Sequence, residues 1–437
     1  MIGYYGRLAA VGMRRQPGLT LLIVGAIGLG VALTMTAYTV LYVMSRDPIP
    51  GKSSQLFAVQ LDNGGPSSRK PGDDEPPQQV TWRDASALLA RHAAHRQVAM
   101  HEVSMVLQPA NPSIKPHTVF GRATTSDFFA MFEVPMQFGA AWSDNSDDGR
   151  AAQVVISQKL NEEVFGGVNS VGQSLQLDGH AYRVIGVMGA WDPKPHYYDL
   201  TVSSFDEGED VFLPLRWTLD REMSTSAYEY CDAGPRGESF TDLLRSECVW
   251  LQYWAELPTA ADAQAYRLDL VNYARDQQHA GRFNWAPNIR LRDVPDWLAA
   301  RKVVPDDARL ALLVAFGFFL ICLCSALGLM LAKAMVKAGE YSVRRALGAS
   351  ARAIFGQALV ESGVLGVTGG VLGLVLTDLA LRCLRELFPD GMGRIAQMDA
   401  TMLVVTLLVA VVATVSTGAY PAWRSMRTAP ALQMKGG

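Results

Sequence analysis

Residues 310–332 have the sequence LALLVAFGFFLICLCSALGLMLA, an unbroken apolar run with no acidic or basic side chain. About 20 apolar residues in an α-helix cross the ~30 Å hydrocarbon core of a bilayer, because each residue adds ~1.5 Å along the helix axis. This run is long enough to cross, and we therefore predict that it spans a membrane.

Three further stretches are candidates for membrane spans. Residues 16–45 and 400–423 contain no charged side chain, and residues 362–377 are charge-free between Glu361 and Asp378. A buried helix of a soluble domain is the alternative for the shorter third stretch, but its position between two stronger segments favours a span. We predict four spans, at residues 18–44, 310–332, 354–384 and 400–423.

The composition agrees with a membrane protein that also has a large folded domain. Apolar residues make up 49% of the 437 residues and charged residues 19%, whereas a soluble domain carries about 25% charge. Five cysteines and 39 glycines exclude a cysteine-dense scaffold and collagen. A net charge of -3 gives no overall basic character, which argues against nucleic-acid binding.

The first span resembles a signal peptide in one respect, because Arg7, Arg14 and Arg15 precede it. Its apolar run is longer than the apolar core of a cleaved signal peptide, and no A-x-A-like cleavage site follows it. We therefore expect a retained signal anchor.

Basic residues cluster beside the predicted spans, and cytoplasmic loops carry an excess of Lys and Arg. Arg7, Arg14 and Arg15 precede the first span, and Arg424, Arg427 and Lys435 follow the fourth. Between the second and third spans there are five basic residues and a single acidic residue, Glu340. Residues 1–17, 333–353 and 424–437 are therefore predicted to be cytoplasmic. Residues 45–309 and the loop 385–399 then lie outside, and the first of these carries 36 of the 42 acidic residues.

The outside region has the pattern of a mixed α/β domain. Residues 55–61 alternate like a half-buried strand, Thr81 with Asp84 three residues later marks a helix start, and Asp178-Gly179 predicts a hairpin turn. Residues 63–79 are rich in Gly, Pro and Ser and predict a loop. Further predicted strands are 118–120, 154–156, 174–177, 182–187, 211–213 and 289–291, and predicted helices are 126–132, 158–165 and 260–277.

Two groups of side chains in this region are candidate sites. Cys231 and Cys248 can pair in an oxidising compartment, closing a loop worth roughly 3 kcal/mol, or remain two free thiols. His92, His95 and His101 are close in sequence, but without a nearby Cys or acid pair they predict a solvated helix face rather than a metal site.

Three segments of the chain resemble one family. Residues 121–139 (GRATTSDFFAMFEVPMQFG) and 154–188 (VVISQKLNEEVFGGVNSVGQSLQLDGHAYRVIGVM) resemble the external domain of MacB-type ABC transporter permeases. Residues 340–373 (EYSVRRALGASARAIFGQALVESGVLGVTGGVLG) resemble the permease domain shared with FtsX and the lipoprotein-releasing permeases, and residues 420–432 are similar to its closing motif. The sequence departs from the family between about residues 192 and 283.

The resemblance implies that residues 45–309 form a MacB-like periplasmic core domain and that 333–353 contact a cytoplasmic ABC ATPase subunit. The basic residues there have an alternative role, in which they only set topology and bind anionic lipid. The positions that match the family's coupling pattern are Glu340, Arg344, Arg345, Leu347, Gly348 and Ala349.

The third span carries two further features. Glu361, near its membrane entry, is interpreted as a structural or hinge residue that faces water or Arg352, with a direct transport role as the alternative. The pairs Gly366/Gly370 and Gly369/Gly373 have the small-xxx-small spacing that lets helices approach closely. They suit either a permease dimer interface or packing within the chain.

No energy-transducing motif occurs in the sequence. It contains no G-x-x-x-x-G-K-[ST], G-x-S-x-G or H-E-x-x-H pattern, so we predict no catalytic, cofactor or metal residues. ATP and Mg²⁺ are then expected in a separate ATPase chain.

The resemblance implies a permease subunit of the bacterial inner membrane, with both termini cytoplasmic, that passes ATP-driven motion to its periplasmic domain and drives export. A second permease, identical or related, is an expected partner, and a periplasmic adaptor and an outer-membrane channel are further candidates. The alternatives are a lipoprotein-releasing permease and an FtsX-like regulator of a cell-wall hydrolase, which usually has a smaller external domain. A membrane-anchored enzyme is a remaining alternative, without a recognisable site.

Overall fold

The computed structural model describes residues 2–65, 74–143, 151–232, 234–387 and 400–426. The chain divides into two compact units, which we call the membrane unit (Met1–Ser45 and Val304–Gly437) and the external domain (Arg46–Val303). In sequence, the external domain is inserted between the first and second long apolar helices.

Helices and strands are numbered along the chain. The helices are α1 (Ile2–Arg15), α2 (Pro17–Met44), α3 (Trp82–Arg91), α4 (Phe128–Met131), α5 (Gln158–Phe165), α6 (Leu215–Asp220), α7 (Phe240–Arg245), α8 (Ala260–His279), α9 (Val294–Ala300), α10 (Asp306–Val336), α11 (Ala338–Ala346), α12 (Ala351–Leu387) and α13 (Ala400–Met426). The strands are β1 (Leu56–Leu61), β2 (Arg96–Leu107), β3 (His117–Thr124), β4 (Met136–Gly139), β5 (Gln153–Ile156), β6 (Ser174–Leu177), β7 (His180–Met188), β8 (Val211–Pro214), β9 (Gln252–Glu256) and β10 (Ile289–Asp293).

In the part of the chain that the structure describes, four helices are long and apolar enough to cross a membrane: α2, α10, α12 and residues Leu403–Arg424 of α13. The prediction of four spans is confirmed. α10 and α12 run a few residues beyond the predicted spans at both ends, because charged residues at a membrane surface can continue a helix. Asp306 and Asp307 in the first turn of α10 also suit the positive end of the helix dipole.

The N-terminal segment contains a helix that the sequence analysis left unassigned. α1 ends at Arg15, and α2 begins at Pro17, which occupies the first helical position of α2. A residue before proline is disfavoured in the α region, and Gln16 accordingly adopts φ -134° and ψ 67°. The helix break therefore follows from one proline.

The external domain is built on a ten-stranded mixed sheet. The strand order is β10-β1-β9-β2-β3-β8-β5-β7-β4, and β6 pairs with β2 and β7. β3 pairs with β8 and β5 with β7 in parallel, and the remaining pairs are antiparallel. The predicted mixed α/β domain is confirmed.

Both faces of the sheet are covered, which gives two hydrophobic cores. Successive strand residues alternate between them: Ala58 lies in one core and Val59 in the other, as do Val155 and Val154. One core includes Leu88 of α3, and helices α5 and α8 contribute to the same core. The other is rich in aromatic side chains, including Phe128, Phe132, Tyr197, Tyr198, Trp254 and Trp297.

The helix cap and the hairpin turn predicted for the external domain are both present in the structure. The Thr81 hydroxyl accepts a hydrogen bond from the Asp84 amide at 3.0 Å and caps α3. Asp178 and Gly179, with φ of 48° and 74°, form the turn between β6 and β7. These signals depend on neighbouring residues only, which is why the sequence reveals them.

The prediction for the three histidines is wrong in part. His92 ends α3 in the left-handed conformation, but His101 lies on β2, fully buried, with its ring 4.9 Å from that of Trp250. The first half of β2 is covered on both faces, so apolar and polar residues do not alternate there, whereas residues 102–107 do alternate in burial. β2 is absent from the strands predicted from the sequence.

A buried ionic network holds the segment that departs from the family pattern. Arg122 of β3 is fully buried; its Nη1 donates to Asp199 Oδ2 at 2.7 Å and its Nε to Glu209 Oε1 at 2.7 Å. The Tyr198 hydroxyl donates to Glu209 Oε2 at 2.7 Å. Burial alone would raise the pKa of Glu209, but the Arg122 charge keeps it below its ordinary value.

Candidate coupling site

The segment predicted to contact an ATPase forms the short helix α11 between α10 and α12. Lys337 is the only residue between α10 and α11, so it joins the two helices. At the other end, Gly348 has φ +101°, and the amides of Gly348 and Ala349 donate to the carbonyls of Arg345 and Arg344. A left-handed glycine of this kind ends a helix without the strain that a side chain would add.

One side of α11 is attached to α12. Lys337, Tyr341 and Arg344 recur at the spacing of one helix face. The Lys337 ammonium contacts Glu361, Tyr341 is buried, and Arg344 Nη1 donates to Gln357 Oε1 of α12 at 2.8 Å. We call these three residues the inner face of α11.

Another side of α11 is exposed. Val343 and Leu347, one turn apart, have exposed fractions of 61% and 83%. Glu340 lies on the same side and pairs with Arg344 at 2.6 Å. We call Glu340, Val343 and Leu347 the outer face. Two exposed apolar side chains beside charged ones are a surface suited to a protein partner.

The predicted coupling residues therefore have different positions. Glu340 and Leu347 belong to the outer face, Arg344 connects the outer face to α12, and Arg345 is half-buried. Gly348 and Ala349 form the end of the helix. Val343 and Tyr341 were not among the predicted coupling residues, although their spacing from Leu347 and Lys337 on a short helix carries the signal.

Glu361 of α12 binds two lysines. Its Oε1 lies 2.9 Å from Lys333 Nζ and 2.8 Å from Lys337 Nζ, and its Oε2 lies 2.9 Å from Lys337 Nζ. The Glu361 side chain is 10% exposed. The Lys333 ammonium also lies 3.4 Å from the Thr20 hydroxyl of α2. We call Lys333, Lys337 and Glu361 the ion cluster.

The structure places Glu361 against these lysines rather than against water or Arg352. Glu361 lies nine positions after Arg352, and on an α-helix nine positions make two and a half turns. The two side chains therefore leave opposite sides of α12, and Arg352 is exposed. A cavity of about 40 Å³ adjoins the ion cluster and is lined also by Tyr341 and Pro421.

The four α12 glycines of the predicted small-xxx-small pairs pack against helices of the same chain. A Cβ at Gly369 would lie 2.8 Å from Ile27 Cγ2, and one at Gly373 would lie 2.8 Å from Val31 Cγ1, both on α2. Gly366 and Gly370 approach α13 in the same way, at Thr414 and Ala410. These faces are covered, so they are not available to a second permease.

Cys231 and Cys248 form a disulfide in the external domain. The residues beside them, Tyr230 and Val249, pair as a short antiparallel bridge. The disulfide closes the loop that contains α7, within the region where the sequence departs from the family.

Two family models match the chain. The MacB-like periplasmic core domain matches residues 20–271, and the FtsX-like permease C-terminal domain matches residues 312–430. The first match alone covers more than half of the chain.

Individual relatives share less than a quarter of their aligned residues with this chain. The macrolide export ATP-binding/permease protein MacB of Syntrophobacter fumaroxidans is 23% identical over 360 residues, which is 73% of this chain and 47% of the relative. The pyoverdine export ATP-binding/permease protein PvdT of Pseudomonas syringae pv. tomato is 23% identical over 261 residues, 60% of this chain and 35% of the relative. The chain thus spans less than half the length of these relatives.

Among solved structures, the periplasmic region of MacB from Actinobacillus actinomycetemcomitans aligns with 59% of this chain and 96% of its own, with a TM-score of 0.37 and 13% identity. The family models carry the assignment, because each matches the unit in which the corresponding motifs lie. The chain belongs to the MacB/FtsX-type family of ABC transporter permeases, with a MacB-like periplasmic core domain and an FtsX-like permease domain.

Proposed function

We propose that this chain is the permease subunit of an export system, and that it transmits ATP-driven motion from a cytoplasmic ATPase to the periplasmic domain. The observation that carries the proposal is α11, whose inner face is attached to α12 while the outer-face residues Val343 and Leu347 remain exposed. A partner that binds the outer face can displace a helix already joined to two spans.

The path from α11 to the external domain follows the chain. α10 follows the external domain in the chain and ends at Val336, and Lys337 joins it to α11, so a displacement of α11 reaches α10 first. α10 is bonded to α2, because the Thr34 hydroxyl donates to the Ala315 carbonyl at 3.1 Å. α2 and α10 are the two helices that flank the external domain in sequence, so both connections to it would move.

The energy source in this proposal is a separate ABC ATPase subunit that binds ATP and Mg²⁺, and this chain contributes no catalytic residue. Two permeases, identical or related, would bind two ATPases. The chain would lie in the inner membrane with both termini in the cytoplasm, where α11 can meet the ATPase. A periplasmic adaptor and an outer-membrane channel would complete an export path.

The test is affinity purification of the chain from its native host in a mild detergent, followed by identification of the bound proteins and an ATPase assay. We expect a P-loop ATPase in stoichiometric amount with the wild type, and its loss from the double variant Val343→Asp/Leu347→Asp. These side chains are exposed, so the substitutions leave the fold intact.

Leu268→Asp is the matched control, because Leu268 lies on α8 of the external domain and is 56% exposed. This variant should retain the ATPase. An ATPase absent from the wild type, or bound equally by the double variant, would contradict the proposal. A co-purified adaptor and channel would support export, whereas a lipoprotein or a cell-wall hydrolase would support one of the two alternatives.

A further inference from the structure

The ion cluster lies in a buried environment, where an ionised side chain costs free energy. Lys333 and Glu361 are almost fully buried in helices that span the membrane, and Lys337 is 14% exposed at the end of α10. Burying ionised groups in such a segment is expensive unless they are paired, and intramembrane charges usually serve function. The cluster therefore needs an explanation beyond packing.

The ion cluster joins two helices that scarcely pack on one another. α10 and α12 both lie along α2 and against α13, and they make little direct contact with each other. The carboxylate of Glu361 is therefore the main polar connection between them. Direct packing between α10 and α12 therefore restrains movement of α10 along α12 only weakly, and the contacts that such a movement must rearrange are those of α10 with α2 and α13.

The two lysines give Glu361 alternative partners. Lys333 and Lys337 are one helical turn apart, about 6 Å along the axis at ~1.5 Å per residue. In the structure Glu361 Oε1 is shared between both ammonium groups, while Oε2 contacts Lys337. A displacement along the axis would break one of the pairs and keep the other, so the buried carboxylate would stay neutralised throughout.

The surroundings leave room for such an exchange. A Cβ at Gly12 of α1 would lie 2.8 Å from Lys337 Nζ, so the absence of a side chain there makes space for the ammonium. The cavity of about 40 Å³ beside the cluster can hold a water molecule, which would solvate an ammonium while it changes partner. Tyr341 is the other ionisable side chain that lines this cavity.

We propose that Lys333, Lys337 and Glu361 form a sliding ion clamp, which fixes the α10–α11 joint to α12 at rest and keeps Glu361 paired while α10 shifts along α12. The three are positioning residues. The ion pairs of the clamp at rest are seen in the structure. That an ATPase supplies the force that shifts α10 rests on the proposed function above.

The clamp assigns different roles to the two lysines. Lys337 contacts both carboxylate oxygens and lies at the joint, so it holds α11 at rest. Lys333 contacts one carboxylate oxygen. When α10 shifts so that Lys333 moves toward Glu361, Lys333 is the lysine that would stay paired with it. A purely structural cluster would instead make the two lysines similar in their effects.

The first experiment needs no ATPase. Hydrogen-deuterium exchange of the α11 amides (338–346) is measured on the full chain in lipid nanodiscs. We expect Lys337→Met to accelerate exchange on the order of tenfold, because the joint is released, and Lys333→Met to change it less than about twofold. Lys337→Arg, which keeps the charge, is the matched control and should behave as the wild type.

The second experiment uses the complex with its ATPase and measures ATP hydrolysis together with an ATP-dependent change in protease sensitivity of the external domain. Lys333→Met should bind the ATPase and hydrolyse ATP normally, yet lose most of the ATP-dependent change. The triple variant Lys333→Met/Lys337→Met/Glu361→Met should keep its thermal stability, since apolar residues can replace a buried ionic cluster, but should also be uncoupled.

Equal effects of the two lysine variants on exchange would overturn the proposal, as would normal coupling in the triple variant. A wild-type chain that binds no ATPase would refute the proposed function alone, because the exchange experiment would still decide whether the clamp holds the joint at rest.

Discussion

Both carboxylate oxygens of Glu361 lie within 2.9 Å of the Lys337 ammonium, and Lys337 is the single residue between α10 and α11. The joint between a membrane span and the short exposed helix is thus bonded to a second span. This relationship explains how a helix of nine residues can keep a defined position with one side exposed.

The end of α11 depends on Gly348. Its φ of +101° is unfavourable for a residue with a Cβ, so we expect Gly348→Ala to destabilise the helix end by about 1–2 kcal/mol. Exchange of the α11 amides measures this effect. Gly339→Ala in the same helix is the control; Gly339 has open space around it, and alanine there should slow exchange. Faster exchange in the control alone would contradict the prediction.

Close approach of α12 to α2 depends on Gly369. An added Cβ would lie 2.8 and 2.9 Å from Ile27 Cγ2 and Cβ, so one of the helices must shift. We expect Gly369→Ala to cost about 1–3 kcal/mol, seen as a lower melting temperature in detergent micelles. Gly356→Ala on the same helix has nothing within 4 Å and should leave the melting temperature unchanged or raise it.

The buried network of the external domain depends on Arg122. Replacing it with Met leaves the buried carboxylates of Asp199 and Glu209 without their cation, which should cost about 3–5 kcal/mol. Denaturant unfolding of the full chain, followed by tryptophan fluorescence, measures the loss.

The neutralised variant Arg122→Met/Asp199→Asn/Glu209→Gln is the matched control for this prediction. We expect it to recover most of the stability, because no uncompensated charge remains buried. A triple variant no more stable than Arg122→Met would show that packing of the arginine side chain dominates.

We expect the external domain to become less stable as the pH is lowered, because of His101. Burial, with the charge of Arg122 adding to it, lowers the pKa of His101 to about 3 from 6.5. Below pH 6.5 the unfolded chain binds a proton that the folded chain does not, so unfolding becomes easier down to about pH 3. The loss is about 1.4 kcal/mol per pH unit in this range.

Urea unfolding of the full chain at pH 7 and pH 5 tests this prediction. His101→Phe keeps an aromatic ring against Trp250 and cannot be protonated, so its stability should vary less between the two pH values. An unchanged pH dependence in this variant would exclude His101 as the cause. The carboxylate of Glu209, whose pKa is lowered, contributes its own loss only at lower pH, below about 4.5.

Much of the membrane unit and several turns and caps of the external domain were predictable from the sequence, because the signals that decide them are local. Charge-free runs marked the four spans, and Thr81, Asp178 and Gly179 marked a cap and a turn through their own backbone preferences. The motif around Arg344 and Gly348 likewise identified the family before any contact was known. In all of these cases the physical cause lies within a few residues of the signal.

Contacts between distant residues were decided only by the tertiary structure. The sequence shows Lys333, Lys337 and Glu361 as isolated charges, and Glu361 drew attention as an acid near the membrane entry of a span, without its partners. The resemblance did not supply these partners. It likewise left open what Gly366 and Gly369 pack against, and strand β2 and the Arg122 network were not predicted. Burial on both faces removes alternation from the first half of β2, and ion pairs across 24 or 87 residues exist only after the helices and strands have packed.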